Sequence, residues 1–279
     1  MSADKLILLS RRVRKDFQAL AEEKGKPRGG YSHFLDLQKT KFQLPVRLYC
    51  GGHWTGINKI EFVDVATLGY RRVDQIVGLI CPNRRGIRIA RIDWALDILG
   101  LSVWDLAGCC QVAGVTNCAF YRSRGGVSFY PHKSNSRSIL IYERAKRLKQ
   151  LHDPSAALYE GKSLTRLEVQ LKGKGVPIRE YLRLSEYAHY NVLRDVTFST
   201  IIPTPKDLKP REFLMMHGLR SLVAERGLQS AAKMFTSSQW AYLRKKYLDP
   251  VGENFPDLHA LMKKSVLDWL ENRIRFPRW

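Results

Sequence analysis

Three segments alternate apolar and polar side chains so regularly that they restrict the chain to a few ways of folding. In residues 90–99, ARIDWALDIL, a period of two puts Arg91, Asp93, Ala95 and Asp97 on one face and Ile92, Trp94, Leu96 and Ile98 on the other. In TRLEVQLKG, Arg166, Glu168, Gln170 and Lys172 oppose Leu167, Val169 and Leu171; in SRSILIYER, Ser138, Leu140, Tyr142 and Arg144 oppose Ile139, Ile141 and Glu143. Each reads as a half-buried strand with its chemistry on the wet side. If the three are neighbours in an antiparallel sheet, Asp93, Glu168 and Tyr142 can converge on one polar surface.

The remaining pattern fits an α+β layer fold centred on such a sheet. RRVRKDFQALAEEKG reads as a charged amphipathic helix ended by the turn-prone KPRGG, and VRLYC, KIEFVDV and GVSFY read as further strands. Residues 69–80 and 103–113 read as helices between them. Three prolines in FSTIIPTPKDLKPRE suggest a boundary near 201–211, separating a core at 1–200 from a small helical domain at 211–279. The apolar LILL at residues 6–9 is too short for a secretory segment, and no apolar run approaches the roughly 20 residues that span a bilayer. This reads as a soluble intracellular chain with no membrane partner.

Charge narrows the partner. Lys and Arg number 47 against 26 Asp and Glu, a net charge of +21, which favours a polyanion. The five cysteines are odd in number and lack CxxC spacing, so they read as reduced, partly buried thiols. His132 and His152 stand alone and read as loop or surface residues.

Two or three carboxylates beside a tyrosine suit metal-assisted phosphoryl transfer. A phenol is a poor nucleophile near neutrality unless a base or metal helps it, and Asp93, Glu168 and Asp97 are the hard donors that Mg²⁺ or Mn²⁺ prefers. Arg91, Arg137, Arg144, Lys146 and Arg166 are the nearby cations that could hold flanking phosphates. The plainer alternative makes Tyr142 a packing residue, pairs Asp93 and Asp97 with Arg91 and Arg88, and gives Glu168 a cross-strand ion pair.

The succession RIDWALD, then SRSILIYERAKRL, then TRLEVQLKG resembles rolling-circle replication initiators, most closely the filamentous-phage gene II/X replication proteins and the related Rep-trans plasmid initiators. The resemblance covers residues 86–175. It implies an initiator/nickase core in which Tyr142 matches the motif tyrosine, Asp93 and Glu168 the motif acids, and Arg137 and Arg166 the motif arginines. The activity implied is that of a metal-dependent, site-specific DNA endonuclease and strand transferase, which leaves a 5′-phosphotyrosine and a 3′-hydroxyl primer. Origin DNA, single- and double-stranded, a host helicase and replication machinery, and the cytoplasm of a bacterial host would then be its setting, with a homodimer left open. Glu143 and Arg144 stand where the family has an acid and a lysine. Tyr121, Tyr130, Tyr187 and Tyr190 remain rival nucleophiles.

GLQSAAKMFTSSQWAYLRKKYL has the outline of a helix-turn-helix, in which Arg244, Lys245 and Lys246 would meet phosphate; plain helical packing is the alternative. A non-catalytic DNA- or RNA-binding regulator that keeps the initiator fold explains the charge equally well.

Overall fold

All the alternating segments become strands of one sheet in the computed structural model, which describes residues 2–53, 56–113, 118–123, 126–198, 210–247 and 257–271. Its first part runs β1 (Ser2–Ser10), α1 (Lys15–Lys24), β2 (Lys26–Arg28), β3 (Tyr31–Asp36), β4 (Val46–Gly52), β5 (Asn58–Phe62), α2 (Val65–Ile80) and β6 (Arg88–Leu99). Then come α3 (Val103–Cys109), β7 (Cys110–Val112), β8 (Ala119–Ser123), β9 (Gly126–Lys133), β10 (Arg137–Glu143), α4 (Arg144–Gln150), β11 (Leu164–Lys172) and β12 (Val196–Phe198). The last part is helical: α5 (Pro210–Arg226), α6 (Leu228–Ala232), α7 (Ser237–Tyr247) and α8 (Leu258–Leu270).

Among the described residues ten strands form one antiparallel sheet, ordered β2-β3-β4-β5-β1-β6-β11-β10-β9-β8, and β7 pairs with β12 in a second, two-stranded sheet. The chain is therefore α+β. β1, SADKLILLS, is a central strand that periodicity does not reveal, because its four consecutive apolar residues hide the alternation. Residues 110–112, expected as the end of a helix, form β7 instead, since α3 stops at Cys109.

One face of the large sheet carries Leu6, Leu8, Leu48, Ile60, Trp94, Leu96, Val169, Ile139 and Phe129, all buried in a single core. Helices α1, α2, α3 and α8 supply its other half, through residues such as Phe17, Ile76, Leu106 and Trp269. α2 bends at Gly69, whose φ of 66° an L side chain would resist. α8 belongs to this core: Leu258, Met262, Val266 and Trp269 share one buried stripe, and the Trp269 ring meets Trp94 edge-on at 5.7 Å. The Trp269 indole N–H donates to the Val65 carbonyl at 3.0 Å, so a helix from the end of the chain pins the start of α2.

α5 to α7 gather a smaller cluster of Met216 and Leu219 with Phe235, Trp240 and Leu243. Thr236 caps α7, its hydroxyl accepting from the Gln239 N–H while the Gln239 side chain accepts from the Thr236 N–H. Arg244 and Lys245 lie exposed on α7, and the Lys246 side chain is outside the described residues. The expected joint at 201–211 lies outside them too, up to residue 209. Among the described residues no helix is long and apolar enough to cross a membrane. None of the five cysteines is in a disulfide, and four of them are buried. His132, expected on a loop or the surface, lies on β9 in register with Ile139, and burial lowers its pKa.

Candidate active site on the open sheet face

The three patterned strands are neighbours, in the order β6-β11-β10, and their polar faces coincide. Register sets Asp97 beside Arg166 and Arg166 beside Tyr142 in one row, Ala95 beside Glu168 and Leu140 in the next, and Asp93 beside Gln170 and Ser138 in the third. The Tyr142 hydroxyl thus reaches Glu168, donating to its Oε2 at 3.3 Å, while Gln170 donates to Oε1 at 2.6 Å.

Glu168 sits in a costly place. It is buried, and the negative charges of Asp93 and Asp4 add to the effect of burial, pushing its pKa up to about 6. Burial also raises the Tyr142 pKa, with Arg166 acting against the rise and Glu168 with it. At neutral pH the resting pair is therefore a phenol donating to a carboxylate. Asp93, 1% exposed, is held by Arg91, whose Nε lies 2.8 and 3.0 Å from its two oxygens. Burial raises the Asp93 pKa, and Arg91 offsets only part of that rise.

The other expected residues divide by what they touch. Both oxygens of Asp97 are taken by Arg166, through Nε at 2.5 Å and Nη2 at 2.7 Å, and the second Nη of Arg166 holds Asp4. Arg166 is thus a buried tie between β6, β11 and β1 with its donors turned to protein carboxylates. Arg137 is engaged by Asp195 and by the Val192 carbonyl. Lys146 is exposed and pairs with Glu143 at 2.8 Å, and Arg144, opening α4, is close enough to Tyr142 to oppose the rise in its pKa. Asp4 and Lys5 went unnoticed in the sequence because β1 did. Among the rival tyrosines, Tyr187 is 1% exposed within the core, against Trp94, and Tyr190 packs edge-on against it. Tyr121 and Tyr130 share the open face with Tyr142, two strands and one strand away.

No protein-family model and no curated protein matches the chain. What the site can do has to be read from its own residues.

Oxygen donors of the kind Mg²⁺ or Mn²⁺ prefers are present in Asp93 and Glu168, and the Asp93 charge adds to the cost of ionising Glu168. Among the described residues no three acidic, histidine or cysteine side chains close into a metal cage. That suits an ion held by one or two carboxylates and substrate phosphates, the usual arrangement for Mg²⁺; Asp93 and Asp97 are each paired with an arginine here, Asp93 with Arg91 and Asp97 with Arg166.

A raised carboxyl pKa makes a stability prediction. Between pH 4.5 and about 6 the folded chain keeps a proton on Glu168 that the unfolded chain has released, so this group's contribution falls as pH rises through that window. Glu168→Gln removes the penalty. In urea unfolding the variant should match the parent at pH 4 and exceed it at pH 7 by on the order of 2 kcal/mol. A variant less stable than the parent at pH 7 would show that the carboxylate is stabilising, contrary to the geometry.

Proposed function

We propose that the chain is a rolling-circle replication initiator that nicks DNA through Tyr142. The observation that carries this reading is the Tyr142 hydroxyl 3.3 Å from the buried Glu168, on the sheet face opposite the main helical core, with the three motif strands side by side. In the proposed step the Tyr142 oxygen bonds to the scissile phosphorus and the bond to the 3′ oxygen breaks. The phenolic proton passes to Glu168 and from it to the departing 3′ oxygen. The protein is left joined to a 5′ phosphate and the 3′ hydroxyl is free.

Glu168 suits the relay because a carboxyl of pKa about 6 can both accept and return a proton near neutrality. The raised phenol is the difficulty, and Arg166 and Arg144 oppose it by their charge. A divalent ion held by Asp93 with phosphate oxygens would add charge that lowers the phenol's pKa and polarises the scissile phosphate.

A non-catalytic nucleic-acid binder is the second reading, favoured by the guanidinium groups already neutralising Asp93, Asp97 and Asp4. One experiment separates them. The protein is incubated with a pool of single-stranded oligonucleotides and Mg²⁺ or Mn²⁺, then run on a denaturing gel. The proposal expects protein-linked DNA together with a fragment whose 3′ end a polymerase extends, both lost on chelation. Binding without any linked product, under either metal, supports the binder instead.

A further inference from the structure

The open face continues beyond the catalytic strands onto β5, β4, β3 and β2, where its character changes from acidic to aromatic and basic. Cross-strand register lines up Phe34, Tyr49 and Lys59, and sets Lys26 beside Phe34. The rings of Phe34 and Tyr31 lie 4.9 and 5.5 Å from Tyr49. Cations roof them: the Arg28 guanidinium is 4.6 Å from the Phe34 centroid, and the Lys59 ammonium is 3.5 Å from that of Tyr49 and 5.8 Å from that of Tyr31. Gly29 and Gly30, with φ of 57° and 78°, form the tight turn that brings Arg28 back over β3.

Tyr31 and Phe34 are only partly buried, and Tyr49 lies buried beside them at 6% exposure. The helices of the core pack on the opposite face, against Leu35, Leu48 and Ile60, so what covers Tyr31 and Phe34 is flexible cationic side chain. Such side chains can swing aside for a ligand that offers both negative charge and flat apolar surface. Single-stranded nucleic acid does so at every residue: bases stack on aromatic rings while phosphates take the cations. A duplex hides its base faces, and a chain of net charge +21 has little attraction for a cationic partner.

We infer that Tyr31, Phe34 and Tyr49, with Lys26, Arg28 and Lys59, form a stacking platform for single-stranded DNA on the N-terminal half of the sheet. Five strand spacings across the sheet, about 24 Å, and nine residues along β6, roughly 30 Å, from the Arg88 row to the Asp97 row, separate Tyr49 from Tyr142, so the platform grips the strand well away from the nick. The two regions are joined through Glu61, which takes Lys59 at 3.4 Å and Lys5 at 3.2 Å, Lys5 being in register with Asp93.

The placement relative to the nick rests on the proposed function; the platform itself does not, and the test keeps them apart by using the full chain with Tyr142→Phe, in which chemistry is absent. Fluorescence anisotropy measures binding to labelled oligothymidine and to a duplex of equal length. Phe34→Leu with Tyr31→Leu, which keeps apolar volume and removes the π-faces, should weaken single-strand binding about tenfold or more and leave the duplex unchanged. Arg28→Gln, at an exposed position, should weaken single-strand binding and flatten its salt dependence with no change in melting temperature. Unchanged single-strand affinity in both variants, or equal losses for single strand and duplex, would overturn the platform. If the parent forms no linked product yet the ring variants lose single-strand affinity, the platform stands and the nicking reading falls.

Discussion

Replacing Arg166 with Met lowers stability by about 3 kcal/mol at neutral pH, the largest loss expected of a single substitution on the open face. The guanidinium is buried and satisfies Asp97 on the neighbouring strand and Asp4 on β1. Methionine fills much of the same volume but leaves Asp97 without its partner and Asp4, whose charge acts on Asp93 and Glu168, without its own. Asp97 and Asp4 keep 32% and 31% of their side-chain surface in water, which holds the loss to the lower end of the range for broken buried pairs. Arg166→Lys should fall between the two, since an ammonium cannot serve both carboxylates with a planar fork. Urea titration checks the series. A loss below about 0.5 kcal/mol for the Met variant would mean that the tie is not holding the three strands together.

Replacing Tyr142 with Phe should abolish covalent capture of DNA while leaving single-strand affinity within about twofold of the parent. Only the phenolic oxygen is removed; the ring continues to occupy its place on β10 beside Arg166. The variant should also be no less stable than the parent, because Glu168 loses a hydrogen bond of 3.3 Å, which is weak, and keeps the one from Gln170. A fall in affinity as large as the fall in linked product would make Tyr142 a binding residue rather than the attacking group.

The polar faces of β6, β10 and β11 were legible because a period of two assigns each side chain to a face without reference to the rest of the molecule. Their adjacency was a condition that periodicity could state but not meet, since the sheet runs β6-β11-β10 while the chain runs β6-β10-β11. Ion pairing was less legible still. Arg166 takes partners 69 and 162 residues away, and nothing local to TRLEVQLKG says which acids will stand opposite it. The sequence therefore presents Asp93 and Asp97 as bare carboxylates, although the fold pairs each with a guanidinium. The same limit applies to α8, whose spacing announces an apolar stripe but not that Trp94, far back in the chain, will cover it.

The aromatic patch on β3 and β4 escaped notice for a related reason. Tyr31, Phe34 and Tyr49 are ordinary strand residues one by one, and only register gathers them under Arg28 and Lys59. The charge of the whole chain pointed to a polyanion without locating where it would lie.

Mapping the DNA-linked residue tests the central claim most directly. The wild-type protein, incubated with single-stranded DNA and Mg²⁺ or Mn²⁺, is digested with nuclease and protease and its peptides are sequenced by mass spectrometry. The Tyr142–Glu168 geometry predicts a nucleotide phosphate on Tyr142 alone, absent after chelation. A phosphate carried by Tyr121 or Tyr130, or no linked peptide under either metal, would contradict it.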